Sequence, residues 1–387
     1  MSKLHTHGIE GVLTFQTLPL YSEELVFWVR DTIFSDYSVS DGGEKPWVLP
    51  VVRKTEIMLA NDGNTYHEYG HFLGSTEFNS AATSFLLGKN PLLLRKKGVQ
   101  TLGATGALSI GARFLRQCLG RTHFYLSDPY WEFHEALFMQ AGFVKSSRYR
   151  YWNAEKRCID MDGFLEDLSE AEPNSVVLLQ TCAHNPTGCD PTPEQWVKIA
   201  SLMRENKLFP FLDMAYQGFA SGVIEEDAKV VRFFVDQGFE FMCAQSFSKN
   251  FGLYGQRAGS LTIVSSCAHT IPHMVSEIIL VVGGNYMVPP LHGSRIVATV
   301  LNDPILFQEW ERCVKTMFDR ITAMRTGSWD HITSQRGMFC FIGLALLEKK
   351  HHVYTLKNGR MNVAGLTTTN LDHVARSIHD AVLNVKG

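Results

Sequence analysis

Residues 241–257, FMCAQSFSKNFGLYGQR, open with a short apolar run and then present hydroxyls, an amine and a guanidinium. The run 241–244 is continuous rather than alternating, which suits a strand buried on both faces of a mostly parallel sheet. Ser246, Ser248 and Lys249 follow at its carboxyl end, and Arg257 comes shortly after. A lone lysine is ordinarily a solvated surface charge. This one sits in a segment otherwise apolar or glycine-rich, and a buried lysine needs a function or a counter-charge. An amine so placed is able to form a Schiff base, beside hydroxyls and a guanidinium able to grip a phosphate.

Four further apolar runs, at 123–126, 176–181, 209–212 and 261–264, repeat the buried-strand pattern. Helical stretches fill the intervals; that at 192–205 follows Pro191 and carries Glu194 in its first turn. The alternation predicts an α/β doubly wound domain, whose ligand lies outside the carboxyl ends of the strands. Segments 103–106, 184–188, 213–216 and 246–249 fall at that edge. Residues 40–315 are expected to form this large domain, and 1–39 with 316–387 a smaller α+β domain made from both termini.

The chain has 387 residues, 45% hydrophobic and 19% charged, enough to bury a large core and divide in two. Its net charge of -3, without basic blocks or acidic tails, argues against a nucleic-acid partner and for a small ligand. The eight cysteines show no CxxC pair and read as reduced thiols rather than metal ligands or disulfides. The first residues, MSKLHTHGIEGVL, have neither the apolar core of a secretory signal nor an Arg-rich, acid-poor bias. The longest apolar run, near 278–284, is too short to span a bilayer. A cytoplasmic protein with no membrane partner is the expectation.

Three motifs accompany Lys249. In LGATGALSIGARFL (102–115), Gly103, Ala104, Thr105 and Gly106 precede an amphipathic helix with Leu108, Ala112 and Leu115 on one face. Free N–H groups at a helix start attract phosphate and the Thr105 hydroxyl adds a donor, although a Gly-rich turn is often only a turn, and this one matches neither GxGxxG nor GKS/T. Asp213 and Tyr216, in FPFLDMAYQGF, follow a buried run. An unpaired buried carboxylate is costly, so Asp213 needs a partner. A protonated pyridine nitrogen is one, a helix N-cap another; Tyr216 is also readable as a core tyrosine. Asn185, in HNPTG (184–188), is either a donor to a phenolic oxygen or an Asx-turn. His67 to His71 satisfy HExxH, the zinc-protease helix pattern, but Gly70 and the lack of an apolar stripe argue against a helix there, and no metal is expected.

Together SFSKNFGLYGQRAG (246–259), CAHNPTGCDPTPEQW (182–196), DMAYQGFASG (213–222), KPWVLPVV (45–52) and GRMNVAGLTTTNLDHVARSIHDAV (359–382) closely resemble the aspartate aminotransferase family, class I pyridoxal-phosphate enzymes, and most nearly its cytosolic members. The resemblance implies the fold type I architecture, pyridoxal 5'-phosphate as cofactor, an amino acid and a 2-oxo acid as substrates, and a homodimer. It makes Lys249 the lysine that binds the cofactor and moves the proton, and Asp213 the partner of the pyridine nitrogen. Asn185 and Tyr216 become donors to the phenolic oxygen, and Trp131 stacks on the ring with His134 behind Asp213. Gly103, Ala104, Thr105, Ser246 and Arg257 match the phosphate cradle. Tyr69, inside the HExxH stretch, matches a phosphate contact received from the other subunit, and Arg360 the arginine that grips the substrate α-carboxylate; Trp131 and Asn185 adjoin the substrate.

The chain departs from the family in its substrate set. VVGGNYMVPP (281–290) places Gly283 where the family has the arginine that binds a distal carboxylate from the neighbouring subunit, and Met287 and Val288 where it has Ser-Asn. Losing such a guanidinium costs roughly 2 to 5 kcal/mol, which predicts weakened handling of aspartate. Phe133 replaces an asparagine, SDYSVSDGG (35–43) sets Tyr37 near the mouth, and shortenings fall between Arg325 and Trp329 and after Leu344. These departures leave three readings: transamination, racemisation of aspartate by return of the proton to the opposite face, and a PLP-binding paralogue of weak activity.

Overall fold

The computed structural model describes residues 47–88, 95–326, 332–341, 360–366 and 370–384. Helices α1 (Pro50–Ala60) and α2 (Thr76–Leu87) lead into β1 (Lys96–Leu102), α3 (Gly103–Gln117), β2 (His123–Asp128), α4 (Phe133–Gln140) and β3 (Lys145–Arg150). A two-stranded ribbon, β4 (Trp152–Asn153) with β5 (Cys158–Ile159), precedes α5 (Met161–Ser169). Then come β6 (Val176–Gln180), α6 (Pro193–Glu205), β7 (Phe209–Met214), α7 (Ile224–Asp227), α8 (Lys229–Asp236), β8 (Phe241–Ser246) and β9 (Ala258–Val264). The last elements are α9 (Ile271–Asn285), α10 (Leu291–Asn302), α11 (Pro304–Thr326), the β10 (Phe339–Phe341) and β11 (Arg360–Asn362) pair, and α12 (Leu371–Asn384).

Seven strands form one sheet in the order β1-β9-β8-β7-β6-β2-β3. The pairs from β8 through β3 are parallel, while β9 runs antiparallel to both β8 and β1. All five apolar runs are strands of this sheet. Their continuity follows from having a core on each face: Phe211, Met242 and Leu261 pack with Leu108, Ala112 and Leu115 of α3, while Leu212, Cys243 and Phe241 join the opposite core with Trp196 and Ile199 of α6. Burying each large side chain contributes about 1.5–3 kcal/mol. The expected start of α6 is secured by a capping box, Thr192 accepting from the Gln195 amide while Gln195 accepts from that of Thr192.

Asp213 is a residue of β7, paired between Gln180 and Ala244, so the N-cap reading does not apply. Residues 67–71 are irregular backbone and give the two histidines no shared helix face. Arg320 of α11 donates to the carbonyls of Ala364 and Leu366 at 3.2 and 2.9 Å, which ties the segment after β11, the strand that carries Arg360, to this long helix. Tyr37 and both shortenings lie outside the described residues.

Candidate active site

A cavity of about 260 Å³ opens at the carboxyl edge of the parallel strands. Ala104 and Thr105 enter it from the start of α3, Trp131, Glu132 and Phe133 from the loop after β2 and the first turn of α4, and Asn185 from the loop after β6. Asp213 and Tyr216 come from β7 and its exit, Ser246, Ser248, Lys249 and Arg257 from β8 and the turn to β9, and Arg360 from β11.

The lysine turn is rigid because its flanking residues face the core. Phe247 and Phe251, both fully buried, bracket Lys249; Phe247 packs edge-on to Phe78, and Phe251 stacks on Trp310 with centroids 4.6 Å apart. Trp310 Nε1 donates to the carbonyl of Asn250 at 2.8 Å. Lys249 itself keeps some surface towards the cavity, with Nζ 5.0 Å from the centre of the Tyr216 ring. Burial pulls its pKa down to about 8, with Asp213 opposing the shift and the Arg257 charge adding to it. The amine therefore loses its proton far more readily than an exposed lysine and is more available as a nucleophile.

Asp213 is buried, and its Oδ2 lies 3.0 Å from His134 Nε2. Its other oxygen, Oδ1, is buried with no hydrogen-bond partner among the described residues. Trp131 meets His134 edge-on, the centroids 5.1 Å apart. Across the cavity Asn185 Nδ2 donates to the Tyr216 hydroxyl at 3.4 Å and Asn185 Oδ1 accepts from Arg360 at 3.1 Å, which rules out the Asx-turn. Arg360 is buried against the face of Phe339 at 4.7 Å and also donates to Glu132 at 3.3 Å.

The start of α3 has no side-chain cap, so its amides face the cavity unfilled by the chain's own side chains. Gly103 adopts φ +69°, and a Cβ there would lie 2.6 Å from Arg257 Nη2. Gly259 is needed for close approach, since a Cβ on it would reach the Gly103 backbone at 2.4 Å. Arg257 is held by its own contacts to Ser248 Oγ and to the carbonyls of Tyr254 and Leu102. These donors fit a phosphate, the orphaned Asp213 oxygen fits a protonated ring nitrogen, and the amine fits an aldehyde. The residues present fit pyridoxal phosphate.

A model of the class I and II aminotransferases matches residues 33–378. The chain belongs to this aminotransferase family. It is 47% identical over 375 residues to the cytoplasmic aspartate aminotransferase of Gallus gallus, covering 90% of each chain. The aspartate aminotransferase from Saccharomyces cerevisiae cytoplasm superposes with a TM-score of 0.85 at 36% identity, covering 90% of each chain. The aromatic-amino-acid aminotransferase of Burkholderia pseudomallei, covalently bound to pyridoxal phosphate, gives 0.88 at 34% identity, with 96% of this chain and 100% of that one covered.

In this aminotransferase the cavity gathers Lys249, Asp213, Tyr216, Trp131, Asn185, Ala104, Thr105, Ser246, Arg257 and Arg360, with Gly103 and His134 directly behind. Tyr69 is elsewhere: it is 77% exposed, on a surface shared with Tyr66, Leu291 and Arg295. Gly283 lies on α9 against Phe72, outside the cavity lining. Sequence reading missed Glu132, Gln180, Tyr254 and Phe339 as lining residues. Glu132 was detectable from its place between Trp131 and His134, whereas Phe339 sits on a strand of three residues that gives no periodic signal. His184, between Ser127 and Thr187 and stacked on Tyr151 at 3.9 Å, is held well below its ordinary pKa by burial and then by neighbouring His134.

Proposed function

We propose that this cavity binds pyridoxal 5'-phosphate and passes an amino group from an amino acid to a 2-oxo acid, as the aspartate aminotransferases it resembles do. The unpartnered Asp213 Oδ1 beside a lysine of lowered pKa is the observation that carries the reading. When bound, the cofactor serves as an electron sink for the substrate carbanion.

The chain's own residues would divide the work. Arg257, Ser246, Thr105 and the amides after Gly103 hold the phosphate; Asp213, oriented by His134, keeps a proton on the ring nitrogen. Asn185 and Tyr216 would supply donors to a phenolic oxygen, and Trp131 would supply an indole for stacking. Arg360 holds the substrate α-carboxylate. Lys249 Nζ would take up the proton released from the amino acid Cα and give it back. The direction of that return distinguishes transamination from racemisation, and the family match favours transamination. Holoenzyme mixed with single amino acids should pass from the aldehyde to the amine form of the cofactor in one turnover. No change with any amino acid would refute the proposal.

The exposed Tyr69 supports a homodimer in which it reaches a partner's phosphate site. Subunit mixing tests this: Y69A and K249A chains, each poor alone, should regain part of their activity together. Failure to regain any would set the shared site aside. The two-domain arrangement, 40–315 against 1–39 with 316–387, is retained as part of the proposal, its boundary falling inside α11. Domain-selective proteolysis with and without substrate would show whether the second unit closes. The names of the cytoplasmic relatives support a cytoplasmic location, testable by imaging the tagged full chain. Among the described residues no helix is long and apolar enough to cross a membrane.

A further inference from the structure

Arg360 is a buried cation whose guanidinium is 4.7 Å from the face of Phe339 and hydrogen-bonded to Asn185 Oδ1 at 3.1 Å. Stripped of most water, such a group needs an anion. Glu132 supplies one, its Oε2 3.3 Å from the same Nη1. The two ends of this pair are unlike: the side chain of Arg360 is 5% exposed and that of Glu132 42% exposed. Glu132 stands just before α4 and makes no side-chain cap to it, so nothing in the helix fixes its carboxylate. At 3.3 Å the contact is longer than the 2.7–2.9 Å usual for a charge-assisted pair. Both residues line the cavity, and Glu132 sits between Trp131 and Phe133, which also line it.

We propose that Glu132 is an internal stand-in for the substrate α-carboxylate: it pairs with Arg360 where that carboxylate would bind, and an incoming amino or oxo acid must displace it. This inference rests on the reading of Arg360 as the carboxylate holder. The exposed glutamate swings towards solvent, whereas the buried arginine, held by Phe339 and Asn185, stays in place. Glu132 thereby sets a threshold on carboxylate affinity, because an incoming anion competes with it for the same guanidinium.

The test is propanoate binding to the holoenzyme, followed calorimetrically and by the cofactor's visible band, in wild type, E132Q, R360K and the double variant. Propanoate carries the carboxylate without a reacting amine. E132Q should bind it about three- to tenfold more tightly, the range expected when a part-exposed competing charge is removed. R360K should weaken binding in both backgrounds, and the gain from E132Q should vanish in the double variant. Unchanged or weaker binding by E132Q, with R360K still damaging, overturns the proposal and leaves the Arg360 reading intact. Unchanged binding by R360K overturns the Arg360 reading itself.

Discussion

His134 Nε2 approaches Asp213 Oδ2 at 3.0 Å and thereby turns the other carboxylate oxygen, Oδ1, into a buried acceptor with no partner among the described residues. Leaving such an atom unsatisfied costs about 1–3 kcal/mol, more when charged. The fold bears that cost at a buried carboxylate that lines the cavity with Lys249.

Replacing Asp213 with Asn removes the charge while keeping the shape. D213N should fold, bind cofactor more weakly and lose about 10²–10³-fold in kcat, the scale of removing one preorganised electrostatic group. Steady-state kinetics with saturating cofactor checks this. A kcat near wild type would detach Asp213 from the chemistry.

Lys249 gives a pH dependence. Its folded pKa of about 8 lies below an unfolded value of about 10.4. Below pH 8 both states are protonated and the folded one carries the burial penalty; between 8 and about 10 the folded amine has lost its proton while the unfolded one keeps it, so the penalty fades. The cofactor-free K249M variant should therefore exceed wild type in stability at pH 7, by on the order of 3 kcal/mol at most, and the gap should close as pH rises to about 10. Denaturant melts of both proteins across that range decide it, and a gap that widens would contradict the assignment.

Gly103 should tolerate no side chain. Alanine there must hold a left-handed φ, costing about 1–2 kcal/mol, and places its Cβ 2.6 Å from Arg257 Nη2. G103A should weaken cofactor affinity by about tenfold or more, read by equilibrium dialysis. G106A serves as the control, its Cβ meeting Leu102 Cβ at 3.0 Å and Thr101 Cβ at 3.5 Å, with no contact to Arg257 among the nearest atoms.

The amino-acid preference turns on Gly283. A Cβ there meets Phe72 at 3.3 Å, a contact the ring is able to relieve, so G283R should be accepted. If α9 faces a partner's cavity, this variant should raise kcat/KM for aspartate about tenfold or more and leave alanine unaffected. Equal gains for both amino acids would show that no distal-carboxylate site had been restored.

Legibility in the sequence followed burial. β6, β7 and β8 are fully or almost fully buried and read as continuous apolar runs, so the sheet's centre and the chemistry at its carboxyl edge were visible. β1, KKGVQTL, and β3, KSSRYR, carry charges at part-exposed positions and showed no strand pattern. Lys249, Asp213 and Asn185 were legible because each ends a buried run. The Glu132–Arg360 pair was not, because its members lie 228 residues apart and meet only through the fold. The antiparallel course of β9 was likewise invisible, since a strand buried on both faces reads the same in either direction.

All of the proposed chemistry depends on Lys249 carrying the cofactor. The full chain loaded with pyridoxal phosphate, reduced with borohydride and digested, should yield a single phosphopyridoxyl-modified peptide with the label on Lys249. Label on another lysine, or none after loading, would remove Lys249 from the cofactor's chemistry.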